Sequence, residues 1–219
     1  MLTVYGVYRS RASRILWLLE ELGLAFEHVP VIQAYRLADP AADDAPFNTL
    51  SPGFLSISPA GAVPVLRDGD FVLSESLAMT LYVARKAGGP LAPADAQENA
   101  LMEQWALYGV SAIEPAALAL LSAHAEGRAS TPEGADLVAA EVGRLRRPLA
   151  VLNGHLGATG HLVGTRFTVA DLNMAEVLRY AQAQPGLVDG YPALAAWLAA
   201  CQARPAFKAM WARRQAEPA

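Results

Sequence analysis

The sequence predicts an α+β N-terminal domain followed by an all-α C-terminal helical bundle. Strand-like segments occur only before Pro93, and after it every clear segment has helical spacing: 95–125, 133–153, 168–183 and 192–213. A chain of 219 residues is long enough for two modest domains. We therefore expect one domain over residues 1–88 and an all-helical one over residues 93–219.

The N-terminal elements begin with a βαβ unit. Residues 2–7 alternate and carry β-branched and aromatic side chains, as a short strand does. After Ser13, leucine and isoleucine recur at helical spacing until Gly23, a common C-terminal stop. Residues 26–32 predict a second strand, which should be parallel to the first because a helix separates the two.

A hairpin and a helix complete this domain. Residues 63–73 predict two short strands around an Asp68-Gly69 turn, and a helix starts at Ser74-Glu75-Ser76 and ends near Gly88. The proline-containing segment 33–61 predicts a loop with one irregular helix. The expected order is βαβ-α-ββα.

Composition excludes several classes of function. An apolar content of 53% and a charged content of 17% indicate a folded globular protein. The net charge of −4, with scattered arginines, argues against a nucleic-acid partner. The N-terminus lacks a signal-peptide pattern, and we find no uninterrupted apolar run of membrane-spanning length, so we expect a cytoplasmic protein without a membrane partner.

The sulfur and imidazole groups predict no redox or metal chemistry. Cys201 is the only cysteine, so an intramolecular disulfide and a Cys-x-x-Cys pair are impossible, and we expect it to be a small core residue. The four histidines, at positions 28, 124, 155 and 161, show no metal-ligand spacing. We therefore expect no metal site.

Pro64 stands where a strand begins. A proline cannot donate a ladder hydrogen bond, so it belongs at a strand start or an edge. If the Val63-Pro64 bond is cis, the backbone N–H and C=O of Val63 face outward and could pair with a peptide-like ligand. The alternative is an ordinary trans proline in a loop.

Glu75 and Ser76 start a helix directly after a strand. A hydroxyl and free backbone N–H groups at this end favour an anion, and the carboxylate of Glu75 could accept a cationic amine. The pair could thus hold an amino-acid zwitterion. The alternative is that Ser74 or Ser76 only caps the helix.

Ser10 lies in the loop between the first strand and its helix, at the sheet edge where α/β sites form. Its hydroxyl could donate a hydrogen bond to a thiolate and lower the pKa of the thiol. Neither a histidine nor a carboxylate lies nearby in sequence to make Ser10 a nucleophile. The alternative is a solvated loop serine.

Four segments in register resemble the glutathione transferase family, in its bacterial, serine-type, theta-, zeta- or phi-like forms. Residues 10–23 (SRASRILWLLEELG) resemble the first motif, 58–66 (SPAGAVPVL) the cis-proline loop, and 73–78 (LSESLA) the γ-glutamyl-binding turn. Residues 167–172 (FTVADL) resemble the capping box of the core C-terminal helix, in which Thr168 caps the helix and Asp171 bonds back to its start. The resemblance covers essentially the whole chain.

The resemblance implies a thioredoxin-like N-terminal domain that binds glutathione. Val63 and Pro64 would meet its cysteinyl unit, Glu75 and Ser76 would hold its γ-glutamyl end, and Arg11 would contribute to binding. Ser10 would activate the thiol. Related proteins place the hydroxyl one residue earlier, at Arg9 here, and Ser13, Arg9 and Arg11 remain alternative activators.

The resemblance also implies that the glutathione thiolate attacks a small hydrophobic electrophile held by the helical domain of a homodimer. Glutathione would be the co-substrate. Isomerisation, reductive dehalogenation or ether cleavage, and a non-catalytic binding or assembly role, remain alternatives. The expected electrophile pocket comprises Tyr8, Met102, Trp105, Tyr108 and Ile113. Core packing explains Trp105 and Ile113 at least equally well.

Overall fold

Strand β1 lies inside a four-stranded mixed sheet in the computed structural model, which describes residues 1–218. Its order is β2-β1-β3-β4; β1 is parallel to β2 and antiparallel to β3, and β3 is antiparallel to β4. The strands are β1 Leu2–Tyr5, β2 Phe26–Val29, β3 Val65–Asp68 and β4 Phe71–Leu73. The predicted βαβ unit and the hairpin at Asp68-Gly69 are confirmed.

Both predicted N-terminal strands end earlier than expected. β1 ends at Tyr5 because Gly6 adopts a φ of +140°, which turns the chain out of the sheet. β2 ends at Val29, before Pro30, since proline cannot continue the ladder. Ile32 then forms only a single parallel bridge, with Asn48.

Three helices accompany this sheet: α1 Ala12–Leu22, α2 Pro52–Leu55 and α3 Ser76–Ala87. The apolar stripe of α1 is fully buried from Ile15 to Leu19 and half-buried at Leu22, and Gly23 ends the helix in a left-handed conformation. The loop 33–61 contains α2 and a 3₁₀ turn at Ala34–Arg36.

The second unit, Gly88–Arg204, is helical. Its α-helices are α4 Ala96–Tyr108, α5 Glu114–Ala125, α6 Pro132–Thr159, α7 Val169–Leu178 and α8 Pro192–Gln202. The sequence predicted one helix over 95–125, but a π-helical segment, Gly109–Ile113, separates α4 from α5. Pro115 lacks the N–H that a continuous α-helix needs at that point, which accounts for the interruption.

Helix α7 is buried along its whole length, and its start carries the predicted capping box. The Thr168 side chain accepts a hydrogen bond from Ala170 N, and the Asp171 carboxylate accepts one from Thr168 N at 2.9 Å. The single cysteine, Cys201 in α8, is buried as expected.

The last helix, α9 Pro205–Ala216, groups with the N-terminal unit. The sequence predicted one helix over 192–213, but the chain leaves α8 at Gln202 and restarts at Pro205, which is favoured at a first helical position. The Phe207 ring packs edge-on against Trp17 of α1, with centroids 4.9 Å apart. The compact units therefore differ from the expected domains, because α9 groups with the N-terminal unit and not with the helical domain expected over residues 93–219.

One helical run, Ala96–Ala125, is long and apolar enough to cross a membrane by length and composition alone. This test is also met by core helices of water-soluble proteins, and 44% of the apolar window is buried.

Candidate functional site

The loop after β1 passes close to the start of β3. A Cβ placed on Gly6 would lie 3.1 Å from the Ala12 side chain and 3.5 Å from Cβ of Val63, so only glycine fits here without displacing its neighbours. The chain then forms a tight turn over residues 7–10, closed by a 3.1 Å hydrogen bond from Ser10 N to Val7 O. We call this segment the activation turn, after the role predicted for Ser10.

The Ser10 hydroxyl is engaged within its own turn. It donates to Val7 O at 2.7 Å and accepts from Ala12 N at 3.0 Å, so it also supports the start of α1. Ser10 is half-buried. A serine hydroxyl hydrogen rotates freely, so a nearby thiolate would compete with Val7 O for this proton.

The alternative activators occupy different environments. Ser13 is fully buried, and Arg11 is exposed. Arg9 is half-buried, and its Nε donates to Arg214 O of α9 at 3.2 Å. The Arg9 guanidinium is therefore directed towards the C-terminal helix.

Val63 and Pro64 lie immediately before β3, and the peptide bond between them is cis. Val63 is half-buried and Pro64 is buried. Within residues 1–218, neither the backbone N–H nor the C=O of Val63 has a hydrogen-bond partner. Both groups are available to an added extended peptide.

Glu75 adopts a left-handed conformation just before α3. Its φ is +68°, the one positive φ of a non-glycine residue in the described part of the chain. Such a conformation costs about 1–3 kcal/mol and is concentrated at functional sites. The side chain of Glu75 is exposed, and its carbonyl accepts the hydrogen bond from Met79 N.

Ser76 is buried at the start of α3 and contacts a buried arginine. The Arg14 guanidinium donates to Ser76 Oγ at 3.0 Å, and Arg14 is only 1% exposed. Because Arg14 occupies an acceptor site of this oxygen, the hydroxyl proton points away from Arg14. Sequence reasoning gave Arg14 no role of its own, although a charged residue on an otherwise apolar face of α1 was a visible signal.

If Ser76 holds the γ-glutamyl end of glutathione, as the resemblance implies, replacing Arg14 with methionine should weaken glutathione binding. Methionine fills a similar volume but cannot donate to Ser76, and the loss of such a charged donor raises the KM for glutathione by about tenfold. Steady-state kinetics at varied glutathione would measure this. The exposed Arg146, replaced by methionine in parallel, should leave the KM unchanged. An unchanged KM in Arg14→Met would contradict the role given to Arg14.

Tyr8 lies inside the N-terminal unit. It is buried, its hydroxyl accepts from Arg213 at 3.0 Å, and its ring meets His28 edge-on at 5.2 Å. The hydrogen bond to Tyr8, together with the Glu20 carboxylate, holds the pKa of Arg213 above its ordinary value. Tyr8 lines a groove of about 610 Å³ whose other walls are Leu19, Glu20, Gly23, Leu24, Ala25, Phe26, His28 and Arg213.

The other expected pocket residues lie in the helical unit. Met102 and Ile113 are fully buried, which favours core packing for both. Trp105 is also buried and packs against Tyr108 and His155, with centroids 5.6 and 4.9 Å away. Tyr108 is half-exposed, and burial raises the pKa of its hydroxyl. The assignment of these four residues to an electrophile pocket stays a prediction.

Among residues 1–218, no three histidine, cysteine or carboxylate side chains are grouped so as to hold a metal ion. The predicted site consists of backbone groups, hydroxyls, a carboxylate and guanidinium groups.

Comparison with known proteins identifies both parts of the chain. Residues 4–91 match the N-terminal domain of glutathione S-transferases, and residues 100–205 match the C-terminal domain. Glutathione S-transferase 3 of Zea mays is 35% identical over 218 residues, which cover 94% of this chain and 91% of the maize protein.

The chain belongs to the glutathione S-transferase family. A solved glutathione transferase of Populus trichocarpa is similar over 98% of this chain and 99% of its own, with 27% identity and a TM-score of 0.80. A theta class enzyme of Xanthomonas axonopodis pv. citri, solved with glutathione bound, covers 95% of each chain with 26% identity and a TM-score of 0.77. The predicted fold class, a thioredoxin-like domain followed by an all-α helical bundle, is confirmed for this glutathione S-transferase.

Proposed function

We propose that this glutathione S-transferase binds glutathione in its N-terminal unit, stabilises the thiolate, and transfers it to a small hydrophobic electrophile. The observation that carries the proposal is the match of both halves of the chain to the glutathione S-transferase domains. The structure adds a supporting geometry, because Gly6 brings the activation turn beside Val63.

In this proposal the two ends of glutathione meet different groups. The cysteinyl unit pairs as an added strand with the backbone of Val63, beside Pro64, because the N–H and C=O of Val63 have no hydrogen-bond partner within residues 1–218. The γ-glutamyl carboxylate accepts from Ser76, whose proton Arg14 leaves available, and its ammonium group binds Glu75. Arg11, exposed at the start of α1, adds a cation near the bound tripeptide.

Ser10 is proposed to activate the thiol. When glutathione binds, the Ser10 hydroxyl proton leaves Val7 O and points at the sulfur, which favours the thiolate. The thiolate electron pair then forms the new C–S bond, the leaving group departs with its own electron pair, and the thiol proton passes to water. The protein contributes a lowered thiol pKa and proximity.

The remaining parts of the proposal follow the family. The electrophile would be a small hydrophobic molecule, the protein would form a homodimer with two-fold symmetry, and it would act in the cytoplasm. Glutathione would be its co-substrate. We expect neither a metal cofactor nor a nucleic-acid or membrane partner. Isomerisation or dehalogenation at the same site, and non-catalytic binding, remain the rival functions.

A pH titration of the bound thiol tests this function. The ultraviolet band of the thiolate is followed while pH is varied, with the protein saturated by glutathione, and turnover is measured with a chloronitrobenzene electrophile. Ser10→Ala should raise the pKa of the bound thiol by about one unit and lower kcat by about tenfold. The loss of kcat should appear at pH values below the thiol pKa. It should vanish at pH values well above that pKa, because the thiol is then ionised without Ser10.

Ser56 supplies a matched control, since its hydroxyl also donates to a carbonyl three residues earlier, Gly53 O at 2.8 Å. Ser56→Ala should change neither the pKa nor kcat. If glutathione binds but Ser10→Ala leaves the thiol pKa unchanged, the activator is Arg9, Arg11, Ser13 or a backbone group. If glutathione binds with an ordinary thiol pKa and no electrophile reacts, the non-catalytic function replaces this one.

A further inference from the structure

The two central N–H groups of the activation turn donate to a single carboxylate from the far end of the chain. Tyr8 N donates to Glu217 Oε1 at 2.7 Å, and Arg9 N donates to Glu217 Oε2 at 2.8 Å. Successive backbone N–H groups in a turn form a concave anion site, and hydrogen bonds to a charged acceptor are among the strongest in proteins. Glu217 thus occupies an anion site in the loop that carries Ser10.

Two arginines at the end of α9 form further hydrogen bonds with Tyr8 and Arg9. Arg214 donates from its guanidinium to Tyr8 O, and its own carbonyl accepts from Arg9 Nε. Arg213 donates to the Tyr8 hydroxyl and to Glu20 of α1. The backbone and side chains of Tyr8 and Arg9 are therefore held by residues about 205 positions away.

The carboxylate fixes the part of the turn on which the Ser10 hydroxyl depends. Val7 O, which accepts from both the backbone and the hydroxyl of Ser10, belongs to the same peptide group as the Tyr8 N–H that donates to Glu217. The next peptide group carries the Arg9 N–H, which also donates to Glu217. Without Glu217 these N–H groups would bond to water, and the peptide groups could reorient at little cost. The direction of the Ser10 hydroxyl would then be less well defined.

We infer that Glu217 is a positioning residue for thiolate activation: it orients Ser10 by binding the N–H groups of Tyr8 and Arg9. The inference rests on the proposed function and extends it to a residue outside the glutathione site. The alternative is that Glu217 only attaches α9 to the N-terminal unit, which would affect stability and not the chemistry of the thiol.

A double-mutant cycle separates these roles. Glu217→Ala and Glu217→Gln are made in the natural protein and in the Ser10→Ala background, with Gln215→Ala, an exposed neighbour on α9, as control. For each protein, kcat and the KM for glutathione are measured from acid to alkaline pH, together with the melting temperature.

Glu217→Ala should raise the pH at which kcat reaches half its plateau and lower kcat about tenfold below that pH, as Ser10→Ala does. The KM for glutathione should stay within about twofold, because Val63, Glu75 and Ser76 are untouched. Glu217→Gln keeps one acceptor oxygen and should fall between the natural protein and Glu217→Ala. In the Ser10→Ala background, neither change should lower kcat further.

Equal losses of kcat in both backgrounds, or a lowered melting temperature with an unchanged pH profile, would overturn the inference. A bound thiol whose pKa in Glu217→Ala equals that in the natural protein would do the same. These results differ from a failure of the proposed function, which would appear as absence of glutathione turnover in the natural protein itself.

Discussion

Replacing Asp171 with alanine is expected to lower the free energy of unfolding by about 3–5 kcal/mol, the largest effect on stability that we predict. The Asp171 carboxylate is fully buried and accepts four hydrogen bonds. Oδ1 accepts from Leu162 N at 3.0 Å and Trp197 Nε1 at 2.9 Å, and Oδ2 accepts from the backbone N and side-chain hydroxyl of Thr168 at 2.9 and 3.1 Å. Alanine would leave all four donors buried without a partner.

Urea unfolding and thermal melting would measure the loss. Asp171→Asn keeps the volume but turns an NH2 group towards donors, so it should also destabilise the protein strongly. Thr168→Ala removes the cap and one donor and should cost only about 1–2 kcal/mol. A loss below about 1 kcal/mol in Asp171→Ala would mean that water or a rearranged loop replaces the carboxylate.

Local sequence patterns predicted the elements that local interactions determine. The Asp68-Gly69 turn, the apolar stripe of α1 and the capping box at Thr168 each depend on residues within a few positions of one another. Their chemistry therefore appears directly in the sequence. The predicted end of β1 was wrong because Gly6 turns the chain out of the sheet, and the predicted helix over 95–125 is interrupted by a π-helical segment just before Pro115.

Long-range pairing accounts for what sequence reasoning missed in the site. Glu217 contacts Tyr8 across 209 positions, and no local pattern marks a glutamate near the chain end as a partner of the activation turn. The grouping of α9 with the N-terminal unit has the same origin, since it depends on packing of Phe207 against Trp17. The left-handed conformation of Glu75 was equally invisible, because glutamate rarely adopts it and the surrounding fold imposes it.

Replacing Glu75 with alanine is expected to raise the KM for glutathione by about a hundredfold, the largest effect on the reaction that we predict. In the proposed function Glu75 binds the ammonium group of the γ-glutamyl end, and a charge-assisted hydrogen bond of this kind contributes about 1.5–3 kcal/mol. The kcat at saturating glutathione should change little, because Glu75 does not approach the thiol in this proposal.

Glu75→Gly separates the role of the carboxylate from that of the backbone. Glycine adopts a φ of +68° without steric cost. The free energy of unfolding of Glu75→Gly should therefore be about 1 kcal/mol higher than that of Glu75→Ala. Both variants lack the carboxylate and should share the raised KM. Glutathione kinetics and urea unfolding of the pair would measure the two effects. A KM that recovers in Glu75→Gly would mean that the conformation of the turn, and not the charge of Glu75, decides binding.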